Sequence, residues 1–313
     1  MYVIINNKKD RDIMKILCIG HATYDFYLPM SSFPLEDKKY RCDDSIECGG
    51  GPAATAAYVL GKWGCEVYYH GVLGTDLFAK KILKGLKAVN VKTKFVEITE
   101  EGATTISFII VNKKNGSRTM LNYGEKTIDI RNFNYDITPD IILSDGYNYE
   151  ASIRAITNNP NAISILDAEK FNDSTLDIAK RVNYVICSKT FAELASKLRI
   201  NYDDEKSLMK MYDNLESLFK GRVVVTLEEK GCMYKDDQGK IKIMTGLKVK
   251  PKDTTSAGDI FHGAFVYGIS KGLSLETSLK IANIAAGLSV TEIGGWHAVP
   301  TLERVHEIYE KNN

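Results

Sequence analysis

Short apolar runs alternate along the chain with longer segments whose apolar residues recur every three or four positions. The runs predict buried strands at residues 15–20, 65–71, 140–144, 162–167, 183–187 and 222–227. The longer segments predict helices at 52–62, 76–89, 150–157, 173–180, 190–198, 204–219, 258–270, 275–290 and 301–309. Apolar strands joined by helices are typical of a mostly parallel sheet that is covered on both faces. The pattern therefore predicts an α/β fold of three layers.

One hairpin interrupts this alternation. Residues 104–112 and 117–123 are β-rich and flank Asn115-Gly116, which is a strong two-residue turn signal. Together with short strands predicted at 24–28 and 39–46, they are expected to form a small β lid outside the main sheet. Arg118 begins the returning strand, and it is either an ordinary surface residue or a side chain that reaches into a site beneath the lid.

The predicted elements occupy residues 15–313 without a shift in composition, an internal repeat or a low-complexity stretch, which predicts one domain. Residues 1–14 precede the first predicted strand and are expected to be a flexible extension. They lack the long apolar core of a signal peptide, and no run approaches the roughly 20 apolar residues that span a bilayer.

Charge and cysteine content narrow the expected partners. The formal net charge is +1, from 41 basic and 40 acidic residues, which gives no reason to expect a nucleic acid or an anionic membrane. The six cysteines form no CxxC pair, and the five histidines show no metal-ligand spacing. Free thiols in a reducing cytoplasm are therefore expected, rather than disulfides or zinc.

The segment 253–259, with the sequence D-T-T-S-A-G-D, opens directly into the predicted helix 258–270. Small residues let backbone N–H groups converge, and the amino end of a helix favours an anion. Asp259 lies in the first turn, where it either caps the helix or takes a proton from an alcohol. The second alternative predicts a phosphoryl-transfer centre.

A second motif, G-G-G-P-A-A-T-A-A, occupies residues 49–57. Three glycines allow close backbone approach to a ligand, and Pro52 suits the first turn of a helix. The motif is either part of a ligand site or a plain loop-to-helix joint packed on a sheet. A polar cluster at 21–25 follows the first predicted strand, at the edge where open α/β sheets bind ligands.

Together the two motifs resemble the ribokinase (PfkB) family of carbohydrate kinases. The family's signature D-T-x-G-A-G-D-x-F matches residues 253–261 with one departure, and its Gly-Gly motif matches 49–57. The order of elements and the lid hairpin agree from residue 15 to the end of the chain. The resemblance implies a ribokinase-like three-layer α/β/α sandwich with a β lid, and a sugar kinase that uses ATP and Mg²⁺. A requirement for a monovalent cation is left open.

The resemblance also implies a role for each matching residue. Asp259 matches the catalytic base, and the anion hole is matched by Ser256, Ala257 and Gly258. The positions similar to sugar-binding ones are Asp25, Gly50 and Gly51, with Thr23 beside them, and Arg118 stands where some members have a lid arginine. The positions similar to the nucleotide site are Ser188, Thr226, Glu228, Gly231, Asn283, Ala286 and Gly287. No metal ligand is assigned.

Three departures from the family pattern bear on activity. Ser256 replaces a glycine of the anion hole, where its Cβ narrows the backbone approach or its hydroxyl adds a donor. Ser188 and Phe191 stand where the family has N-x-x-E, so the arrangement around Mg²⁺ is in doubt, with Glu193 as the available substitute. Ala54 stands where many ribose kinases have an asparagine, which counts against ribose.

The motifs are most similar to those of the ketohexokinase and sulfofructose kinase types, which favours a fructose-like ketose as the phosphate acceptor. A nucleoside kinase of the same fold is the first alternative, because Tyr24, Phe26 and Tyr27 offer rings for a base. A sugar or nucleotide sensor without catalysis is the second. The edges of the lid strands predict a homodimer through the lid.

Overall fold

The computed structural model describes residues 13–42, 44–124 and 129–312, so the predicted extension at 1–14 lies almost wholly outside the described residues. The strands in chain order are β1 (Lys15–Ile19), β2 (Thr23–Met30), β3 (Ile46–Gly50), β4 (Glu66–His70), β5 (Val72–Gly74), β6 (Glu97–Thr99), β7 (Thr105–Asn112), β8 (Arg118–Tyr123), β9 (Ile141–Ser144), β10 (Ile163–Ala168), β11 (Tyr184–Ser188), β12 (Arg222–Thr226), β13 (Cys232–Lys235) and β14 (Ile241–Met244). The helices are α1 (Pro52–Lys62), α2 (Leu77–Ala88), α3 (Tyr149–Asn158), α4 (Asp173–Ala179), α5 (Lys189–Ser196), α6 (Glu205–Leu218), α7 (Ala257–Ser270), α8 (Leu275–Ser289) and α9 (Leu302–Lys311).

The main sheet of the described residues has eight strands in the order β14-β13-β12-β11-β10-β9-β1-β4. The strands from β12 to β4 pair in parallel, and β13 and β14 add an antiparallel edge. Strands β1, β9, β10 and β11 are buried over almost their whole length. Their continuous apolar runs are thus explained by a sheet with helices on both faces.

Side chains on each strand alternate between the two faces of this sheet. On β1, Ile16 and Cys18 pack into one core with α1, α7 and α8, whereas Leu17 and Ile19 pack into the opposite core with α3. Helices α4, α5 and α6 lie on the same face as α3, and α9 packs on α8. The predicted three-layer α/β/α sandwich with a mostly parallel sheet is confirmed.

Helix α7 runs through the middle of one helical layer. It packs between α1 and α8 and lies over β9 and β10, and residues 260–270 are all buried. Its amino end is the part that is open, because Gly258 is exposed and Asp259 is half-buried. The fold therefore fixes this helix along its length and leaves its first turn accessible.

The lid is a separate four-stranded sheet in the order β3-β2-β7-β8. The predicted hairpin is present: β7 and β8 are antiparallel, and the Gly116 N–H donates to the Asn112 carbonyl at 2.8 Å. Gly116 has φ 73°, a left-handed value that glycine adopts at little cost. The lid packs on the body through α2, which contacts β2 and β3.

The strand predicted at 39–46 is wrong except at its last residue, as far as the structure describes this segment. Strand β3 begins at Ile46 and continues to Gly50, so two of the motif glycines lie in a strand rather than in a loop. The segment before it is rich in charged residues and has no alternating apolar face to pack on a sheet. Two short strands, β5 and β6, pair with each other and were not predicted, because three residues are too few to show a periodicity.

Candidate active site

The amino end of α7 is open and has the features expected of an anion site. Ser256, which precedes the helix, has left-handed backbone angles (φ 59°, ψ 8°), and its side chain makes no capping hydrogen bond. The Ile260 N–H donates to the Ser256 carbonyl at 2.9 Å and so begins the helical pattern. The N–H groups of Ala257, Gly258 and Asp259 have no acceptor within the helix. They point, with the positive end of the helix dipole, at a place suited to an anion.

The loop that leads into α7 is held by its own side chains and by the lid. Asp253 Oδ1 accepts hydrogen bonds from the N–H and the hydroxyl of Thr255, at 2.9 and 2.6 Å. The Thr254 hydroxyl donates to the Gly116 carbonyl at 3.2 Å, and Arg118 Nη1 donates to Thr254 Oγ1 at 2.8 Å. The structure thus brings Arg118 from the lid to the anion site, while its contact with a substrate stays a prediction.

Asp259 lies in the first turn of α7 among other charged groups. Its burial raises its pKa to about 8; the negative charges of Asp167 and Glu169 add to the rise, and His262 and Arg118 oppose it. A carboxylate whose pKa lies near the working pH accepts a proton more readily than an ordinary aspartate does. The arrangement therefore suits the role of a base toward an alcohol.

His262 lies one turn after Asp259 and faces the interior. Its Nδ1 is 2.7 Å from the Gly258 carbonyl oxygen and 3.4 Å from Asp167 Oδ2, and its Nε2 is 3.4 Å from the Ile186 carbonyl oxygen. Burial lowers the pKa of the ring, which is 5% exposed. The histidine thus braces the first turn of α7 against β10 and β11 rather than facing a ligand.

Asp25 is the centre of the predicted sugar site. Its side chain is buried, with Oδ1 accepting from the Thr23 hydroxyl at 2.6 Å and Oδ2 accepting from the Tyr27 phenol at 3.3 Å. Burial raises the pKa of Asp25 to about 6. A Cβ on Gly50 would overlap the Asp25 carboxylate and lie 2.8 Å from the Thr23 hydroxyl oxygen, so only glycine fits beside this carboxylate.

Gly51 also requires the absence of a side chain. Its φ of 87° is left-handed, and a Cβ there would lie 2.7 Å from the His21 carbonyl oxygen and from Ala22 Cα. The glycine motif therefore lets the chain after β3 pass directly against His21 and Ala22, between β1 and β2, while β2 and β3 pair Thr23 with Gly50. This brings Thr23, Asp25, Gly50 and Gly51 together, and their contact with a sugar stays a prediction.

Sequence reasoning missed Asp145, which joins three segments at the edge of the sheet. Its Oδ2 accepts from the backbone N–H groups of His21 at 2.7 Å and Ala53 at 3.2 Å, and its Oδ1 accepts from the Tyr147 N–H at 3.0 Å. Burial raises the pKa of Asp145 to about 6. The available signal was an acid directly after a predicted buried strand, and Asp167 is the last residue of the next predicted strand.

A cavity of about 400 Å³ opens beside Asp145. It lies past the carboxyl ends of β9 and β10, where open α/β sheets bind ligands. His21 stacks on Tyr147 at its rim, with ring centroids 4.7 Å apart. The residues that line it are Asp145, Gly146, Tyr147, Tyr149, Lys170, Asn172, Asp173, Ser174 and Thr175.

The predicted nucleotide residues lie further along the same edge. Ser188 and Thr226 are register partners at the ends of β11 and β12. Ser188 Oγ accepts from the Phe191 N–H at 3.1 Å and so caps α5, and the Thr226 hydroxyl donates to the Cys187 carbonyl at 3.3 Å. Glu228 is exposed in the short turn that follows β12.

The remaining nucleotide residues meet where α8 packs on the β13–β14 hairpin. Gly231 begins this hairpin with φ 92°. Asn283 Nδ2 lies 3.5 Å from Cys232 Sγ and 3.4 Å from the Met244 carbonyl oxygen. Ala286 and Gly287 follow one turn later, and a Cβ on Gly287 would lie 2.6 Å from Leu247 Cβ. The structure thus brings these predicted nucleotide residues together at the hairpin. Their contact with a nucleotide stays a prediction.

Glu193 does not replace the missing N-x-x-E glutamate. Its Oε2 is paired with Arg199 Nη1 at 2.7 Å, and its Oε1 accepts from the Ile200 N–H at 3.0 Å. Both carboxylate oxygens are therefore committed to the end of α5. The carboxylates that lie near Asp259 are instead Asp167 and Glu169 at the end of β10.

An open helix terminus lies beside a carboxylate of raised pKa, under a lid, on a three-layer α/β/α sandwich, and this arrangement suits phosphoryl transfer to an alcohol group. The sequence model described as pfkB family carbohydrate kinase matches residues 14–302. The chain therefore belongs to the pfkB family of carbohydrate kinases, as its two motifs predicted. This membership goes against the hypothesis of a sensor without catalysis.

Similar proteins act on different acceptors. The chain is 26% identical to fructokinase-2 of Zea mays, with 95% of each chain covered. It is 25% identical to a nucleoside kinase of Methanocaldococcus jannaschii, with 95% of this chain and 97% of that one covered. The structure of Arabidopsis thaliana ribokinase with ribose and ATP shares the fold, with a TM-score of 0.77, 19% identity, and 94% and 98% of the two chains covered.

Proposed function

We propose that this protein is an ATP-dependent kinase of a fructose-like ketose, in which Asp259 removes the proton from the acceptor hydroxyl. The observation that carries the proposal is the position of Asp259, whose raised pKa suits a base, in the same helical turn as the free N–H groups of α7. The N–H groups stabilise charge on the transferred phosphoryl group while the carboxylate activates the attacking oxygen.

Support for ATP as the donor and the cytoplasm as the location comes from different features. The Arabidopsis thaliana ribokinase of the same fold binds ATP. The family resemblance implies a nucleotide site at Ser188, Thr226, Gly231 and Asn283. Ser188 and Thr226 are register partners in the main sheet, and Asn283 lies beside Cys232, the residue after Gly231. All six cysteines are free thiols, which suits a reducing compartment.

The site offers Mg²⁺ the number and the chemical type of carboxylates that this ion binds in proteins. No group of three or more His, Cys, Asp or Glu side chains in the described residues could hold a metal ion by itself. Mg²⁺ commonly keeps several waters and binds one or two carboxylates together with substrate phosphates. Glu169 is exposed next to the buried Asp167, so these two residues would hold it, and the ion would neutralise charge on the phosphates.

A ketose acceptor is favoured over ribose by Ala54, which is buried and has no polar group to offer a sugar. The similarity to fructokinase-2 agrees with this choice. The nucleoside kinase alternative rests on the similarity to the archaeal enzyme. Against it, Tyr24 packs on Phe78 with ring centroids 5.2 Å apart, and Phe26 stacks on Phe108 at 5.4 Å, so these rings fill the lid instead of flanking an open slot.

A kinase screen tests the acceptor. Purified protein with ATP and Mg²⁺, with and without K⁺, is offered fructose, sulfofructose, tagatose 6-phosphate, ribose, 2-keto-3-deoxygluconate and nucleosides, and ADP release is measured. We expect a ketose to give the highest kcat/KM. Turnover of nucleosides or ribose with ketoses ignored would overturn the choice of acceptor and leave the kinase assignment in place.

We also propose that the protein is a homodimer through its lid. All six residues of β8 are exposed, including Leu121 at 56% and Tyr123 at 68%, and the opposite edge of this strand pairs with no other strand in the described residues. An exposed apolar edge strand is a ready surface for a second copy.

Light scattering tests the dimer. The wild type is expected to have twice the chain mass of 34.9 kDa, and Leu121→Glu is expected to be a monomer, because a charge on the edge opposes close pairing. Leu194→Glu is the matched control, since Leu194 is 51% exposed on α5, away from the lid. A wild type that is monomeric at micromolar concentration would contradict the proposed dimer.

A further inference from the structure

The two faces of the lid sheet differ in burial. Successive side chains on a strand point to opposite faces. On β7, Thr105, Ser107, Ile109 and Val111 share one face and are buried, whereas Phe108 on the other face is 40% exposed. Ile109 and Val111 pack into the same core as helix α7. The face that carries Ser107 is therefore turned toward the body of the protein.

A row of polar side chains crosses this inner face of the lid. Asp25 on β2 is the register partner of Ser107 on β7, and Ser107 is the register partner of Asn122 on β8. Register partners point to the same face, and their strands lie about 5 Å apart. Arg118, four residues before Asn122, shares this face, and its Nη1 donates to Thr254 Oγ1 in the loop before α7. The row thus lies on the side of the lid that meets the candidate active site.

Ser107 is the member of this row that lacks a partner. Its side chain is 1% exposed, and its hydroxyl makes no hydrogen bond with any of the described residues. Burial raises the pKa of Asp25, and the nearby Ser107 hydroxyl opposes this rise without making a hydrogen bond to the carboxylate. A buried hydroxyl without a partner destabilises a fold. A hydroxyl of a bound molecule beside Asp25 would supply the partner.

The chemistry of the row suits a neutral polyol. A carboxylate accepts hydrogen bonds, whereas a serine hydroxyl and an asparagine amide both accept and donate them. Adjacent hydroxyl groups of a sugar can satisfy all three. An anionic group at the same place would be repelled by the Asp25 carboxylate.

We propose that Ser107 is a specificity-determining residue that binds a hydroxyl of the phosphate acceptor, next to the part of the acceptor held at Asp25, with Asn122 binding a further hydroxyl. The proposal rests on the proposed kinase function and deepens it. A site that uses a buried polar group for one substrate hydroxyl discriminates against analogues that lack this hydroxyl.

A cycle of enzyme variants and substrate analogues tests the role of Ser107. The substrates are the acceptor that the kinase screen identifies and its deoxy analogues, each without one hydroxyl. Ser107→Ala is expected to lower kcat/KM about tenfold for the complete acceptor and less than twofold for the analogue that lacks the contacted hydroxyl. Asn122→Ala is expected to show this pattern with a different analogue. An equal factor for every substrate, or no change for any, would overturn the proposal for that residue.

Ser270→Ala and Thr119→Ala are the matched controls. Ser270 is 7% exposed at the far end of α7, and its hydroxyl donates to the Tyr267 carbonyl at 2.7 Å. Thr119 lies on the outer face of β8, as the register partner of Ile110. Both variants are expected to keep the wild-type ratios of kcat/KM among the acceptor and its analogues.

Thermal unfolding without ATP gives a measurement that does not depend on turnover. Without ligand, Ser107→Ala is expected to unfold at the same or a higher temperature than wild type, because it removes an unpaired hydroxyl, whereas Ser270→Ala loses a hydrogen bond and unfolds lower. Excess acceptor is expected to raise the unfolding temperature of wild type more than that of Ser107→Ala.

The unfolding measurements separate failure of the proposal from failure of the proposed function. If the wild type phosphorylates no sugar, the proposed function fails, and the sugars of the kinase screen are then used as the ligands for unfolding. A larger shift for wild type than for Ser107→Ala still supports the contact. Equal shifts in the two proteins, or no shift with any sugar, would contradict it.

Discussion

Asp259→Asn is expected to lower kcat about 10³- to 10⁴-fold while changing KM for the acceptor only a few-fold. The amide keeps the size and the half-buried position of the side chain in the first turn of α7, but it cannot take a proton. The free N–H groups of that turn are unchanged and remain available to a phosphate. The change therefore removes the base and leaves binding largely intact, and steady-state kinetics with ADP detection measures both quantities.

The stability of this variant separates loss of chemistry from loss of fold. The folded-state pKa of Asp259, about 8, lies above its ordinary value of 3.8, so the stability that its neutral form provides is lost as the pH rises toward 8. Asparagine does not ionise, and the variant is therefore expected to unfold at the same or a higher temperature than wild type at pH 8. Near-normal kcat in a folded variant would remove Asp259 from the role of base.

The pH dependence of kcat/KM is expected to follow the ionisation of Asp259. Only the ionised carboxylate accepts a proton, so kcat/KM should rise about tenfold per pH unit below a midpoint near 8 and level off above it. Asp167→Asn removes a negative charge that raises this pKa. It is expected to move the midpoint down by about one unit, because one nearby like charge has an effect of this order. It is also expected to lower the plateau of kcat/KM, because Asp167 is one of the two carboxylates proposed to hold Mg²⁺.

Asp177→Asn is the matched control for this shift. Asp177 is paired with Arg181 on the surface, at 3.1 Å, and it is not among the groups that shift the pKa of Asp259. The control is expected to keep the wild-type midpoint. An Asp167→Asn enzyme with the wild-type midpoint would show that the acidic limb belongs to another group.

The sequence predicted the layers of this fold because short apolar runs alternate with segments of helical periodicity. This pattern is typical of a parallel sheet that helices cover on both faces. The sequence predicted the lid hairpin because two β-rich segments flank Asn115-Gly116, although the connection is longer than the two residues predicted and runs from 113 to 117, with Gly116 left-handed. It failed at 39–45, where charged residues between two lid strands resembled an exposed strand, and those of them that the structure describes lie in no strand. Local patterns thus predicted the elements. The errors lie in segments whose conformation depends on whether another strand pairs with them.

The candidate site was predicted only as far as its local motifs extend. Asp145 was missed because its partners are 124 and 92 residues away in the sequence, at His21 and Ala53. Their meeting depends on the adjacency of β1 and β9, which no single segment reveals. Glu193 was considered because it lies close in the sequence to the position where the family motif has a glutamate. Its ion pair with Arg199 is visible only in the structure.

The hydrogen bond between the lid turn and the loop before α7 bears on the competition between water and the acceptor hydroxyl for the phosphoryl group. The Thr254 hydroxyl bonds to the Gly116 carbonyl, so the position of the lid and the shape of the loop before α7 are linked. An acceptor that fills the space under the lid and holds it down also holds this loop in place, and water cannot do so. We expect the same two hydrogen-bonded residues to favour transfer to the proposed sugar over hydrolysis of the donor.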